Sequence, residues 1–170
     1  ESTGALSVHP YDTQWTLAGQ GTVAREMEAQ LGGPGSLDTI LVATGGGGLI
    51  GGIAAWFGDR VKVVSVETEG TATLARSLKE GPESNVQASG VAAGSLGGPR
   101  RGVESWNVIR ERVQTALVLP DTVVFEAAKA LWEGTRLVSE PGAAVAVAAL
   151  TSGAYVPEPD ERVAVLVCGG

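Results

Sequence analysis

The chain has 170 residues, 12 Lys+Arg against 19 Asp+Glu for a net charge of −7, one cysteine, one histidine, 25 glycines and 44% hydrophobic residues. That length suits one domain with a real core, and the acidic balance argues against nucleic acid or an anionic membrane as partner, because phosphate backbones are bound by clustered Lys and Arg. One cysteine excludes an internal disulfide, and one His with one Cys excludes the usual zinc clusters. No apolar run approaches the ~20 residues of a membrane span, and the opening ESTGALSVHPYD carries no signal-peptide pattern, so a soluble cytoplasmic protein is expected.

In chain order, Ser2, Thr3, Gly4 and the His9-Pro10 step read as a connector. Asp12 or Thr13 caps a helix running to Leu31, with Val23, Met27 and Leu31 as its apolar stripe. Gly32-Gly33-Pro34-Gly35 ends it. Thr39–Ala43 is a continuous apolar run of the kind buried on both faces in a parallel sheet. It feeds Thr44-Gly45-Gly46-Gly47-Gly48, followed by an apolar helix from Leu49 to Phe57. Val61–Val66 is the second strand, ending at Glu67, and a helix follows over 71–80. Residues 81–102 read as the least ordered stretch. A helix over Val103–Arg112, a third strand at Ala116–Leu119, a helix opened by Pro120-Asp121, a small-residue helix at Ala143–Leu150 and a last strand at Arg162–Cys168 complete the chain. The four tryptophans, at 15, 56, 106 and 132, are scattered and read as packing residues. Strands alternating with helices predict an α/β fold in three layers, a mostly parallel sheet with helices on both faces. Such sheets place ligand sites beyond the carboxyl ends of their strands.

The tetraglycine loop is the strongest local signal. Four side-chain-free residues let backbone N–H groups approach an anion, and the next helix adds its N-terminal donors and dipole. A rival pattern overlaps it: Gly46, Gly48 and Gly51 spell G-x-G-x-x-G, and Glu67 closes the next strand about 20 residues on, as in a dinucleotide site where the acid holds a ribose hydroxyl. Spacing alone leaves both readings open, together with that of a non-catalytic interaction domain.

Six motifs stand in order: His9-Pro10-Tyr11-Asp12; Gly19-Gln20-Gly21-Thr22 with Glu26; the tetraglycine loop; Val66-Glu67; Glu140-Pro141-Gly142-Ala143-Ala144; and Val167-Cys168-Gly169-Gly170. Together, and over essentially the whole chain, they resemble the C-terminal part of the large domain of fold-type II pyridoxal-phosphate enzymes, in the serine/threonine dehydratase (threonine ammonia-lyase) and serine racemase branch. Relatives that make cysteine or cystathionine usually carry G-T-G-G-T in the loop, so the tetraglycine favours the dehydratase side.

The resemblance implies pyridoxal 5'-phosphate as cofactor and a residue-by-residue assignment. Gly45, Gly46, Gly47 and Gly48, with the N–H of Leu49, match the phosphate cradle. Cys168 matches the residue facing the pyridine nitrogen, and Glu140 a glutamate near the cofactor ring. Glu67 matches a carboxylate of a divalent-metal site, but the aspartate expected six residues later is Thr73, which leaves a poor hard-cation site and no metal assignment. His9 reads as a structural residue of the connector. The Schiff-base lysine lies in an S-x-K setting that none of Lys62, Lys79 and Lys129 has, so no catalytic residue is assigned within this chain. The lysine and the substrate-gripping loop of a smaller domain are expected upstream, and the chain reads as a single partial domain, 1–170, inactive alone. Such a piece is expected to expose apolar edges and to be marginal or associated.

The implied activity of the parent is β-elimination of L-threonine or L-serine to a 2-keto acid and ammonia, in a homo-oligomer whose other partner is the amino-acid substrate. A racemase or a dehydratase of another hydroxy-amino acid shares every motif quoted.

Overall fold

The computed structural model describes residues 3–6, 8–113 and 115–170; Ser2 of the expected connector lies outside them. Helix α1 (Gln14–Gln30) starts at Thr13, whose backbone is extended and whose side chain accepts the Thr16 N–H at 3.0 Å. It stops at Gly32 and Gly33, both at φ near +100°. The predicted stripe is displaced: the buried face is Leu17, Gly21, Ala24 and Glu28, and Leu31 is 48% exposed. α1 packs through its small residues against α2 (Gly48–Phe57), where backbone meets backbone: a Cβ on Gly21 would lie 3.0 Å from the Gly52 carbonyl oxygen. An apolar-stripe reading favours large residues and misses such an interface.

Strand β1 (Thr39–Ala43) is buried along its whole length. It pairs in parallel with β2 (Lys62–Thr68) on one side and with β4 (Val163–Val165) on the other, and β3 (Thr115–Leu119) pairs in parallel with β2, giving the order β3-β2-β1-β4. The two-residue alternation of the strands sorts the core into two layers. Ile40, Val42 and Val63 face α1, α2 and Ile109 of α5 (Val103–Arg112). Leu41, Ala43, Val64 and Val66 face α6 (Thr122–Thr135) and α7 (Pro141–Thr151). This is the predicted three-layer α/β arrangement. α7 is built of Ala, Gly and Val, buried on nearly every side, and Pro141 sits in its first turn, where the missing N–H costs nothing.

The predicted last strand is shorter than expected. Its ladder covers Val163–Val165 with one further bond, Leu166 N–H to the Leu41 carbonyl at 3.2 Å. The sequence stays apolar to Cys168, but β1 itself turns away at Thr44 into the glycine loop and offers no further partner. The predicted 71–80 helix is a 3-10 turn, Glu69–Thr71, followed by α3 (Thr73–Glu80). Residues 81–102 are tied down despite their composition: they hold a short helix α4 (Ala93–Leu96), Ser89 donates to the Gly70 carbonyl, and Val91 donates to Asp121. The tryptophans do not all pack. Trp106 lies against the α1/α2 core layer, whereas Trp15 is 88% exposed.

Candidate functional site

From β1 the chain steps outward to β2 and β3, then returns to place β4 on the other side of β1. A reversal of this kind marks the place, beyond the carboxyl ends of β1 and β4, where sheets of this type bind ligands in a crevice. The tetraglycine loop follows β1 directly, with Gly47 at φ +104° as the residue that starts α2. Among the described residues the amides of Gly45 through Ile50 donate to no backbone carbonyl; the first amide of the helix to do so is Gly51, to Gly47 at 2.9 Å. Side chains are also excluded there. A Cβ on Gly46 would clash with the Tyr11 ring, one on Gly48 would lie 2.8 Å from the Tyr11 Cα, and one on Gly45 would lie 3.1 Å from the Leu96 Cα.

Cys168 and Glu140 meet at the opposite wall. The β1–β4 ladder ends at Leu41 beside Val165, with one further bond from the Leu166 N–H, so Cys168 lies just past the carboxyl end of β4. The Glu140 N–H donates to the Gly169 carbonyl at 3.2 Å, and a Cβ on Gly169 would meet the Glu140 carboxylate at 2.7 Å. Glu140 is also the residue at which α7 begins. Partial enclosure pushes the Cys168 thiol above its ordinary range, and the Glu140 charge adds to the rise, although the side chain keeps access to solvent. At neutral pH it is a thiol and not a thiolate. The loop residues Gly45–Gly48 and Leu49 follow β1, and Cys168 follows β4 with Glu140 against Gly169, so both groups lie beyond the carboxyl ends of two neighbouring parallel strands.

Glu67 does not join them. It is fully buried at the end of β2, and its two oxygens accept the N–H groups of Leu74 and Ala75 at 2.7 and 2.8 Å at the start of α3. Burial pushes its carboxyl above the ordinary range despite these donors. Its remaining charged neighbour is Arg101, with Nη2 at 3.7 Å and both side chains wholly inaccessible. So committed a carboxylate cannot reach a ribose, which removes the dinucleotide reading. Gly51 agrees: a Cβ there would have 3.5 Å to its nearest neighbour, so the third glycine of that fingerprint has no tight packing to satisfy. Both Glu67 oxygens are taken by backbone donors, and among the described residues no three His, Cys, Asp or Glu side chains form a cluster that could hold a metal ion. Thr73, in place of the expected aspartate, donates to the Gly98 carbonyl at 2.9 Å.

The three lysines lie elsewhere. Lys62 begins β2, at the opposite end of the sheet, and Lys79 and Lys129 are exposed on α3 and α6. His9 holds the connector: its Nδ1 accepts the Tyr11 and Asp12 N–H groups at 3.3 and 3.0 Å, and its ring meets Tyr11 edge-on. A concavity of about 590 Å³ lies between α1, α2 and α5, with Leu17, Ala55, Trp56 and Val108 in its wall; it contains no residue of the glycine loop.

The pattern of the chain matches the model of one family, described as pyridoxal-phosphate dependent enzyme, over residues 1–169. The chain belongs to that family. It is 33% identical to the biosynthetic L-threonine dehydratase of Burkholderia multivorans over 151 residues, 87% of this chain and 29% of that protein. It is 30% identical to the serine racemase of Oryza sativa subsp. indica over 184 residues, 100% of this chain and 51% of that protein. The structure of maize serine racemase superposes with a TM-score of 0.87 at 31% identity, covering 99% of this chain and 53% of the other. The chain thus spans about half the length, or less, of these relatives. The crevice fits a phosphate ester on its own terms: six uncommitted amides surround a loop on which added Cβ atoms would collide, at the start of a ten-residue helix.

Sequence reasoning passed over Tyr11 as a wall of the loop, and over Leu96 and Gly98, which brace its other side. Their signals are faint, because all three reach the loop from segments that read as irregular. Arg101 was missed entirely. Nothing in Pro99-Arg100-Arg101-Gly102 separates the exposed Arg100 from the buried Arg101.

Proposed function

We propose that the complete protein is a pyridoxal-phosphate-dependent ammonia-lyase that dehydrates and deaminates L-threonine or L-serine to a 2-keto acid and ammonia. This chain contributes the C-terminal part of its cofactor-binding large domain. The observation that carries the reading is the convergence of the free-amide glycine loop, Glu140 and Cys168 on the crevice where the strand order reverses.

The backbone amides of Gly45, Gly46, Gly47, Gly48 and Leu49 bind the phosphate through hydrogen bonds to a charged acceptor, in a geometry fixed by Gly47 and by the Tyr11 ring. Cys168 would offer the ring nitrogen a neutral S–H, a weak donor that would leave the nitrogen largely unprotonated. Glu140, held by Gly169, closes the wall beside it, and its charge adds to the partial burial that keeps the thiol protonated. When bound, pyridoxal phosphate supplies an electron sink for the electron pair left at the substrate Cα. The lysine that removes the α-proton comes from a part of the protein outside this chain. A cytoplasmic homo-oligomer accords with the reading, and among the described residues no helix is long and apolar enough to cross a membrane.

A racemase is the second reading, since a serine racemase stands among the relatives. The commitment of both Glu67 oxygens to the Leu74 and Ala75 N–H groups, with Arg101 beside them and Thr73 in place of a second carboxylate, favours the lyase over a metal-activated racemase. The test is to supply the complete protein with pyridoxal phosphate and measure 2-keto acid from L-threonine and L-serine side by side, with D-serine followed in the same samples. Keto-acid release from either substrate is expected. D-serine without keto acid would replace the lyase by the racemase, and neither product in a protein that binds the cofactor would reject both.

A further inference from the structure

Arg101 poses a physical problem that the cofactor reading leaves untouched. Its side chain is wholly inaccessible, and Nε, Nη1 and Nη2 all lack a hydrogen-bond partner. A buried guanidinium with unspent donors costs several kcal/mol unless a nearby charge offsets it. Two features do face it. The Glu67 carboxylate stands 3.7 Å from Nη2, and the underside of the glycine loop lies over Nη1, so that a Cβ on Gly47 would come within 3.2 Å of that nitrogen. Burial lowers its pKa to about 10, which still leaves it charged at neutral pH.

The position is built. A Cβ on the next residue, Gly102, would run into the Asp12 carboxylate, which accepts the Glu104 N–H at 2.8 Å. Ser105 and Ile109 of α5 flank the same underside of Gly47. The chain is thereby pinned immediately after Arg101, and the guanidinium lies between the end of β2 and the loop.

We propose that Arg101 is a positioning residue, a tethered cation that neutralises Glu67 and holds a fixed positive charge beneath the glycine loop, so that phosphate binding there needs no cation from solution. The proposal rests on the reading that the loop holds the cofactor phosphate. Its chemistry is simple. Glu67 alone would put a buried negative charge next to an anion site, and Arg101 cancels that charge while leaving N–H groups unpaired on the side of the loop.

The test uses the complete protein stripped of cofactor and compares affinity for pyridoxal phosphate with affinity for pyridoxal, so that the ratio isolates the phosphate. Arg101→Met is expected to lower that ratio roughly tenfold or more, and Arg101→Lys to keep most of it. In Arg101→Ala, millimolar guanidinium is expected to restore the ratio, and sodium at the same concentration to leave it low. If Arg101→Met is too unstable to measure, the pair Glu67→Gln and Glu67→Gln/Arg101→Met decides. The double variant is expected to melt above Glu67→Gln, because it removes the stranded cation. An unchanged ratio in Arg101→Met, or a double variant that melts below Glu67→Gln, would overturn the proposal. A wild-type protein with no preference for pyridoxal phosphate over pyridoxal would instead overturn the phosphate reading beneath it.

Discussion

Replacing Gly52 by alanine tests the close approach of α1 and α2 that aims the glycine loop. In a helix interior alanine is favoured over glycine by about 1 kcal/mol, so propensity alone predicts stabilisation. The structure predicts the reverse. The added Cβ would lie 2.5 Å from the Leu17 carbonyl oxygen and 2.6 Å from the Gly21 amide nitrogen, both backbone atoms of α1 that cannot rotate away. Relief requires the two helices to separate. Overpacking of this kind costs about 1–3 kcal/mol, and the separation also opens the seam between α1 and α2. The net expectation is a destabilisation of about 1–2 kcal/mol. Gly19→Ala is the internal control, because a Cβ there meets nothing within 4 Å, and it should gain about 0.5–1 kcal/mol. Thermal midpoints of the two variants in the complete protein should therefore move in opposite directions. Pyridoxal phosphate should bind Gly52→Ala more weakly, since α2 carries the loop. A Gly52→Ala protein that melts with or above Gly19→Ala would refute the close-packing argument.

The loop and the crevice make further predictions. Gly47→Ala should cost about 1–3 kcal/mol through its positive φ and weaken phosphate binding, whereas Gly51→Ala should be tolerated; the opposite order in a denaturation series would revive the dinucleotide fingerprint. Cys168 should react slowly with iodoacetamide at neutral pH, with a rate that keeps rising beyond the usual thiol range, and saturating pyridoxal phosphate should protect it. Equal labelling with and without cofactor would place the cofactor elsewhere. Asp38 accepts three hydrogen bonds from Arg162 and is held at about 2. A carboxylate depressed in the folded state stabilises above its unfolded pKa and loses that contribution as pH falls through its folded one. The urea midpoint should accordingly drop between about pH 4 and 2, and less in Asp38→Asn; identical acid profiles would show that the pair carries no stability.

Elements that bury themselves through large apolar side chains were legible in the sequence. β1 is the clearest case: the apolar run Ile40, Leu41 and Val42, bounded by turn residues, is of the kind buried on both faces of a parallel sheet, and it is buried along its whole length. The glycine loop, Glu140 and Cys168 were legible as motifs, and the structure puts them beyond the carboxyl ends of β1 and β4. What escaped was packing made by missing side chains or by segments far apart in the chain. The α1 face is set by Gly21 and Ala24, which score weakly as core. The end of β4 is set by where β1 turns, not by the β4 sequence. Arg101 is buried because Gly102 and Asp12 pin the chain beside it, a constraint spread over segments about 90 residues apart.

Asp38 at the head of β1 and Arg162 at the head of β4 are 124 residues apart in the chain. During synthesis at about 5–20 residues per second, β1 waits roughly 6–25 seconds for the neighbour that completes its flank. Its apolar edge must be shielded through that interval, and the cofactor crevice comes into being only when β4 arrives. The two sides of the candidate site are thus made at different times: a ribosome-bound intermediate that has completed β1 has the glycine loop but not yet Cys168.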